Sequence, residues 1–186
     1  MTADILFRKA RAQDLSQIWK ILKQAIQRRK EEGSNQWQDG YPNPEVIKHD
    51  LNNEHGFVLA DGDVVIGYTA VLINDEPEYA KIEGKWITND DFVVFHRVAI
   101  SENQLGKGYA KQMMLSIEDY SLSKGIYSVK ADTNHDNGPM KNIFEKLGYV
   151  YCGKVYFRGS PRMATGPKIA KLAMPFCPLR MLRNAN

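Results

Sequence analysis

The stretch that most limits how this chain can fold covers residues 91–125, DFVVFHRVAISENQLGKGYAKQMMLSIEDYSLSKG. An apolar, β-branched run over residues 92–100 reads as a buried strand. A polar turn then meets Gly106-Lys107-Gly108, after which Ala110, Met113, Met114, Ile117 and Leu122 recur at helical spacing. Strand, glycine-rich turn and helix follow in that order. The first N–H groups of such a helix lack intrahelical partners, and the helix dipole adds partial positive charge there. Glycines let an anion come close to that backbone, so the turn suits a phosphate. An ordinary strand-to-helix loop that needs glycine only to turn would carry the same letters.

The rest of the chain supports one domain around this unit. With 186 residues, 43% of them hydrophobic, there is material for one well-filled core and little for two. The net charge is +3 and the basic residues are scattered, which argues against a nucleic-acid partner. Cys152 and Cys177 have no neighbour at metal spacing and make no disulfide framework, so no metal is expected. No apolar run is long enough to span a bilayer and no secretory leader is apparent. A cytoplasmic location without a membrane partner is therefore the expectation.

From the start, Ile5–Lys9 reads as a strand, and Asp14 as the N-cap of a helix. That helix carries Leu15, Ile18, Trp19, Leu22 and Ile26 on one face and ends through Arg28-Arg29-Lys30 at Gly33. The loop over residues 33–44 holds Trp37 and Tyr41, two large aromatics that either anchor it or wall a binding pocket. Pro44 suits the first turn of a short helix ending near Glu54. Residues 57–60 and 63–73, joined by Asp61-Gly62, read as a hairpin. Residues 74–91 form an acidic, irregular excursion before the central strand.

Beyond the central helix, residues 128–133 read as a strand, and Asn137-Gly138-Pro139 starts a short helix over 140–147 that Gly148 stops. Residues 149–157 return as a strand. Residues 161–186 read as a last strand, a tail, or both, with Thr165-Gly166-Pro167 interrupting any strand and Arg180 and Arg183 closing a basic end. The order β-α-α-β-β-β-α-β-α-β implies a mixed sheet flanked by helices.

Two known phosphate loops do not fit the glycine turn. A Rossmann fingerprint needs glycine where Lys111 stands, and a Walker A loop needs Ser or Thr where Gly108 stands. The turn is instead similar to the acyl-CoA motif of the GNAT N-acetyltransferase superfamily, Arg/Gln-x-x-Gly-x-Gly/Ala. It falls on Leu105-Gly106-Lys107-Gly108-Tyr109-Ala110, with Leu105 departing at the first position and Gln104 beside it. A second segment, Asn137-x-x-Met140-x-x-Ile143-Phe144-Glu145-Lys146-Leu147-Gly148-Tyr149, resembles the superfamily's asparagine-led helix that ends in Tyr-Glu-Lys-Leu-Gly-Phe. The resemblance covers residues 5–160, a single acyltransferase domain over 1–160 whose last strand or tail follows.

The resemblance implies an α/β layered fold with a mostly antiparallel sheet, splayed between the 92–100 and 128–133 strands. Acetyl-CoA would lie in that opening as cosubstrate. By resemblance, the backbone of Val98, Ala99 and Ile100 runs along the pantetheine arm, and the N–H groups of Leu105, Gly106, Lys107, Gly108, Tyr109 and Ala110 hold the pyrophosphate. Lys107 and Lys111 would add charge near the phosphates. Asn137 would bond the pantetheine or position its helix, and Phe144 would join the cofactor wall. The acceptor would be an amine of a small molecule or a peptide. A homodimer is common among relatives.

The chemistry then asks for a base, because a primary amine near neutral pH must lose a proton before it attacks a thioester. A backbone N–H on the central strand can stabilise the oxyanion that results. His96 is the candidate base: it lies two residues before Val98, hence on the same face of a regular strand, and imidazole titrates near neutrality. A core histidine would look the same. Many relatives protonate the leaving thiolate from the tyrosine of Tyr-Glu-Lys-Leu-Gly, but Phe144 occupies that place. Tyr149, Tyr109, Tyr151 or solvent are the substitutes. Trp37 and Tyr41 are candidate acceptor-pocket walls, and Asp132 a base, an amine anchor or a turn cap. Arg97 alternates to the other face. Two other readings stay open: an acyl-CoA-binding sensor without efficient catalysis, favoured by Phe144, and a basic-tailed nucleic-acid module.

Overall fold

The computed structural model describes residues 5–167. The strands are β1 (Ile5–Lys9), β2 (Gly56–Asp61), β3 (Val64–Ile73), β4 (Glu83–Gly84), β5 (Val93–Ile100), β6 (Val129–Thr133), β7 (Tyr149–Phe157) and β8 (Ser160–Pro167). They form one sheet in the order β1-β2-β3-β5-β6-β8-β7-β4. Every pair is antiparallel except β5 with β6, which run parallel. The mixed, mostly antiparallel sheet expected from the sequence is the one observed.

Strand periodicity explains how the sheet holds two helical layers. In β2, Phe57 and Leu59 face a core formed with Met113, Met114 and Ile117 of helix α3 (Tyr109–Ser123) and Phe144 and Leu147 of α4 (Gly138–Leu147). The alternate residues Val58 and Ala60 face Ile18 and Leu22 of α1 (Leu15–Glu31) and Ile47 of α2 (Pro44–Asn52). A strand buried on both faces has no polar alternation, which is why this one reads as a continuous apolar run. A third cluster, around Tyr79, Trp86 and Val155, fastens residues 74–91 to the sheet. That segment contains a 3-10 turn (Pro77–Lys81) and the short β4 rather than an irregular chain throughout. β4 crosses β7 so closely that a Cβ on Gly153 would lie 2.3 Å from the Glu83 carbonyl oxygen.

Two expectations are corrected. Asp14 does not cap α1 through its side chain. Its carboxylate turns back to Arg8, at 2.7 and 3.1 Å, and to the Arg11 N–H at 2.7 Å, leaving it almost fully buried between β1 and α1. Thr165-Gly166-Pro167 does not interrupt the last strand, because β8 runs through it and pairs with β7 on one side and β6 on the other. The cross-strand ladder outweighs the weak local propensity of Gly and Pro, and Pro167 stands at the strand's end. The basic end at Arg180 and Arg183, and Cys177, lie outside the described residues.

Candidate functional site

Parallel strands β5 and β6 pair only at Val93 with Val129 and Val94 with Lys130. Beyond those rungs they part, and a cleft of about 320 Å³ occupies the opening. Residues 95–100 of β5 form one wall, α4 from Asn137 to Phe144 the other, and the end of α1 with the following loop a third. Among the described residues, parting the strands leaves the free edge of β5 without a strand partner, and such an edge pairs readily with an extended ligand.

One end of the cleft is made of backbone. Leu105 and Ala110 line it, and between them the chain turns through Gly106 (φ +76°) and Gly108 (φ +85°) into α3. Among the described residues, a Cβ at either glycine would meet nothing within 4 Å, so these residues leave the space above the turn open, and glycine is required there by backbone conformation alone. Helix α3 starts at Tyr109 with no side-chain cap, so its first N–H groups are available to an anion. Lys107 Nζ donates to Gln104 Oε1 at 2.9 Å. Gly106, Lys107, Gly108, Tyr109 and Lys111 lie just beyond the cleft's lining, on the exposed turn and first helical turn. Across from them, Asn137 caps α4, its Oδ1 accepting from the Met140 N–H at 3.2 Å while Nδ2 donates to Gln36 Oε1 at 3.2 Å.

The other end is made of side chains, arranged by a kink in β5. The register places Ala99 opposite Tyr68 and His96 opposite Ala70, so Arg97 and Val98 together face Thr69 alone. Arg97 adopts φ +58°, a conformation that costs a non-glycine residue about 1–3 kcal/mol. This bulge resets the alternation. Val98 and Ile100 pack with Phe95 toward α3, and His96 falls on the opposite face from Val98. The same-face expectation for His96 and Val98 is therefore corrected.

Arg97 turns under α2 and donates to both oxygens of buried Asp50, at 2.7 and 2.8 Å, and to the Tyr41 hydroxyl. Burial works against its charge, but Tyr41 and Asp50 more than compensate and raise its pKa. Tyr41 lies between Arg97 and Arg158, with guanidiniums 5.7 and 5.5 Å from its ring.

His96 remains a cleft residue after the kink, and its Nε2 lies 3.0 Å from Glu76 Oε2. Both side chains are mostly buried, at 16% and 12% exposed. Asp132 is not a turn cap: its Oδ1 accepts from the Tyr79 hydroxyl at 2.8 Å and its Oδ2 from Arg162 at 3.1 Å. Burial first, then the Asp132 charge, pushes the Tyr79 hydroxyl well up. Trp37 and Tyr41 both line the cleft, and Trp37 also packs against the α1–α2 core, so the two readings of that loop coincide.

Tyr149 stands apart from this cleft. It is buried beneath α4 against Phe144, ring centroids 5.3 Å apart, and beside Glu118 of α3. Burial and then Glu118 hold its hydroxyl protonated. Tyr151 is exposed on the far side of α4, and Tyr109 is not in the lining. Glu76, which touches His96, and the cleft-lining Arg97 and Arg162 are residues that no motif marked. Only the acidic character of residues 74–91 hinted at the first.

The sequence matches the model of the acetyltransferase (GNAT) family over residues 19–149. A GNAT-family acetyltransferase from Streptococcus agalactiae is 34% identical, with a TM-score of 0.78 over 88% of this chain and 94% of that one. The chain belongs to the GNAT acetyltransferase family. Two further GNAT-like folds are more distant. A Staphylococcus aureus protein is 23% identical over 88% of this chain and 99% of that one, TM-score 0.68. A Salmonella typhimurium protein, solved with its cofactor acetyl-CoA, is 14% identical over 94% of this chain and 99% of that one, TM-score 0.65. No curated protein matches the sequence.

Acetyl-CoA is the cosubstrate of the GNAT family. The residues present fit it: the open glycine turn and uncapped start of α3 suit a pyrophosphate, and the unpaired edge of β5 suits an extended amide-bearing arm. Among the described residues no helix is long and apolar enough to cross a membrane.

Proposed function

We propose that this GNAT acetyltransferase moves the acetyl group of acetyl-CoA directly to an amine of a small molecule or peptide, with His96 as the base. The observation that carries the reading is the continuity of one cleft from the glycine turn, along the free edge of β5, to His96. Bound acetyl-CoA supplies an acetyl thioester whose carbonyl carbon an amine can attack. The N–H groups from Leu105 to Ala110 hold the pyrophosphate, and the backbone of Val98, Ala99 and Ile100 aligns the arm. His96 takes a proton from the acceptor amine. Tyr41, Trp37 and Asp132 shape the space the acceptor enters. Phe144 puts only hydrocarbon in the wall, so the departing thiolate is protonated by water rather than by a tyrosine.

Phe144 also favours a second reading, in which the same cleft binds acyl-CoA as a sensor. Release of CoA thiol across an amine panel, with thermal shift by acetyl-CoA alongside, separates them. Turnover that falls about 10²–10⁴-fold in His96→Ala, the usual worth of a general base, is expected. Stabilisation by acetyl-CoA without turnover on any amine would favour the sensor, and no stabilisation would sink both.

A further inference from the structure

We infer that Arg28 is an anion-binding residue of the cleft, and that the acceptor is an amine bearing a carboxylate or phosphate group. The inference rests on the proposed transfer to an amine, whose acceptor class it narrows.

Four arginines line the cleft, and each has a buried nitrogen with no hydrogen-bond partner among the described residues: Nη1 of Arg28 and Nε of Arg29, Arg97 and Arg162. Three of the four nevertheless have their charge met. Arg29 pairs with Glu32 and, at 2.8 Å, with Asp136. Arg97 pairs with Asp50 at 2.7 Å, and Arg162 with Asp132 at 3.1 Å. Arg28 pairs with no carboxylate among the described residues. A guanidinium stays charged at any physiological pH and has five N–H groups that donate and none that accepts. Sheltering one of its nitrogens from water without an anion costs free energy, and a ligand's anion would offset that cost. The planar fork matches the oxygens of a carboxylate or a phosphate.

The fold places Arg28 on the acceptor's wall. It stands in the last turns of α1, which spans the cleft between two loops. One turn earlier, Gln24 Oε1 accepts from the Glu102 N–H at 3.3 Å; one residue later, Arg29 is tied to Asp136 just before α4. Trp37 and Tyr41 continue the same wall. The phosphates of CoA have the backbone N–H groups of the glycine turn, and its pantetheine arm carries no charge. Asp132, the carboxylate of β6 in the lining, is already engaged by Tyr79 and Arg162. Arg28 is thus the charge left for an acceptor to answer.

The test is calorimetric titration of the full chain saturated with CoA, where no acetyl group is present and no turnover is needed. Amines are titrated in pairs that differ in the anionic group alone: the common amino acids against their carboxamides, and phosphoethanolamine against ethanolamine. The best-binding anionic amine should bind about 10- to 100-fold more tightly than its neutral partner, and Arg28→Met should abolish that ratio. Arg28→Met should not lower the Tm of the free protein, because no pairing is lost, and should change the Kd for CoA by about threefold or less. Arg28→Lys keeps the charge without the fork and should retain part of the ratio. Equal binding within every pair overturns the inference, as does no binding by any amine or a ratio that survives in Arg28→Met. A rise of about tenfold or more in the Kd for CoA in Arg28→Met also overturns it, since Arg28 would then serve the cofactor's phosphates. Binding to the CoA complex is read without chemistry, so a failure to acetylate any amine would count against the proposed transfer alone.

Discussion

The two ends of one cleft are built by opposite means. At Gly106–Gly108 consecutive residues present backbone N–H groups, and side-chain identity hardly enters. At His96 the surface is assembled from side chains brought together from the α1–α2 loop, residues 74–91, β5, β6 and β8. A backbone site needs only the right φ angles and a helix start, so a few letters encode it and glycine is what it cannot lose. An assembled site depends on every clamp that fixes its parts, and its letters are scattered. Each end should therefore fail to a different kind of substitution, and largely without the other.

The largest effect should come from Asp50→Ala. Asp50 is 2% exposed and receives Arg97 through two hydrogen bonds and the Tyr68 hydroxyl at 2.5 Å. Removing it leaves a buried guanidinium without its anion, at a cost of about 3–5 kcal/mol. A fall in Tm on the order of 10 °C is expected for a chain of this size. The strained Arg97 and its partner Tyr41 would lose their setting, so turnover should drop in whatever remains folded, while acetyl-CoA still raises its Tm. Equal loss of the acetyl-CoA shift would show the two ends to be one unit and break the contrast.

Gly108→Val probes the other end. With φ +85° the position costs a substituted residue about 1–2 kcal/mol in αL, more when it is β-branched. The added side chain would also stand in the open space over the turn. KM for acetyl-CoA should rise at least about tenfold, for a loss near 1.4 kcal/mol, with KM for the acceptor little changed. Lys107→Ala sharpens the point. Its ammonium is exposed and engaged with Gln104, so its removal should change that KM by only about threefold or less. A larger effect from Lys107→Ala than from Gly108→Val would mean that side-chain charge, not backbone, holds the phosphates.

The contrast also explains what could be read from the letters. The strand, the Gly106–Gly108 turn, the α3 periodicity and the Asn137 helix start are local in sequence; the parting of the sheet at β6 was implied only by the family resemblance that two of these segments carry. The Arg97 bulge was not readable, because the run VVFHRVAI satisfies a regular strand and the register shift is imposed by Asp50 and Thr69 on other elements. That single missed residue of offset reversed the face assigned to His96. Glu76 was invisible for a related reason: its segment is held by Tyr79, Trp86 and the Gly84–Gly153 crossing, contacts that no local pattern announces. Strand β8 was obscured by Gly166 and Pro167, whose local preferences the ladder overrides.

The smallest predicted effect concerns Tyr79, and it depends on pH. Burial and then the Asp132 charge raise its hydroxyl well above the ordinary value of 10.0. A group whose pKa is raised by folding gives its full stability below the unfolded value and loses it as pH climbs past that value toward the folded one. Wild-type stability should therefore fall above about pH 10, by up to about 1.4 kcal/mol per pH unit from this group. Tyr79→Phe should be about 1 kcal/mol less stable at pH 8, from the lost hydrogen bond, and flatter above pH 10. Urea unfolding between pH 8 and pH 11 measures both, and parallel curves for the two proteins would refute the assignment. Tyr149→Phe is the natural comparison. Tyr149 is raised by burial and then by Glu118, so it should flatten the alkaline limb in the same direction. Because Tyr149 lies off the cleft and Tyr79 holds Asp132 and the loop of Glu76, only Tyr79→Phe should also raise KM for the acceptor.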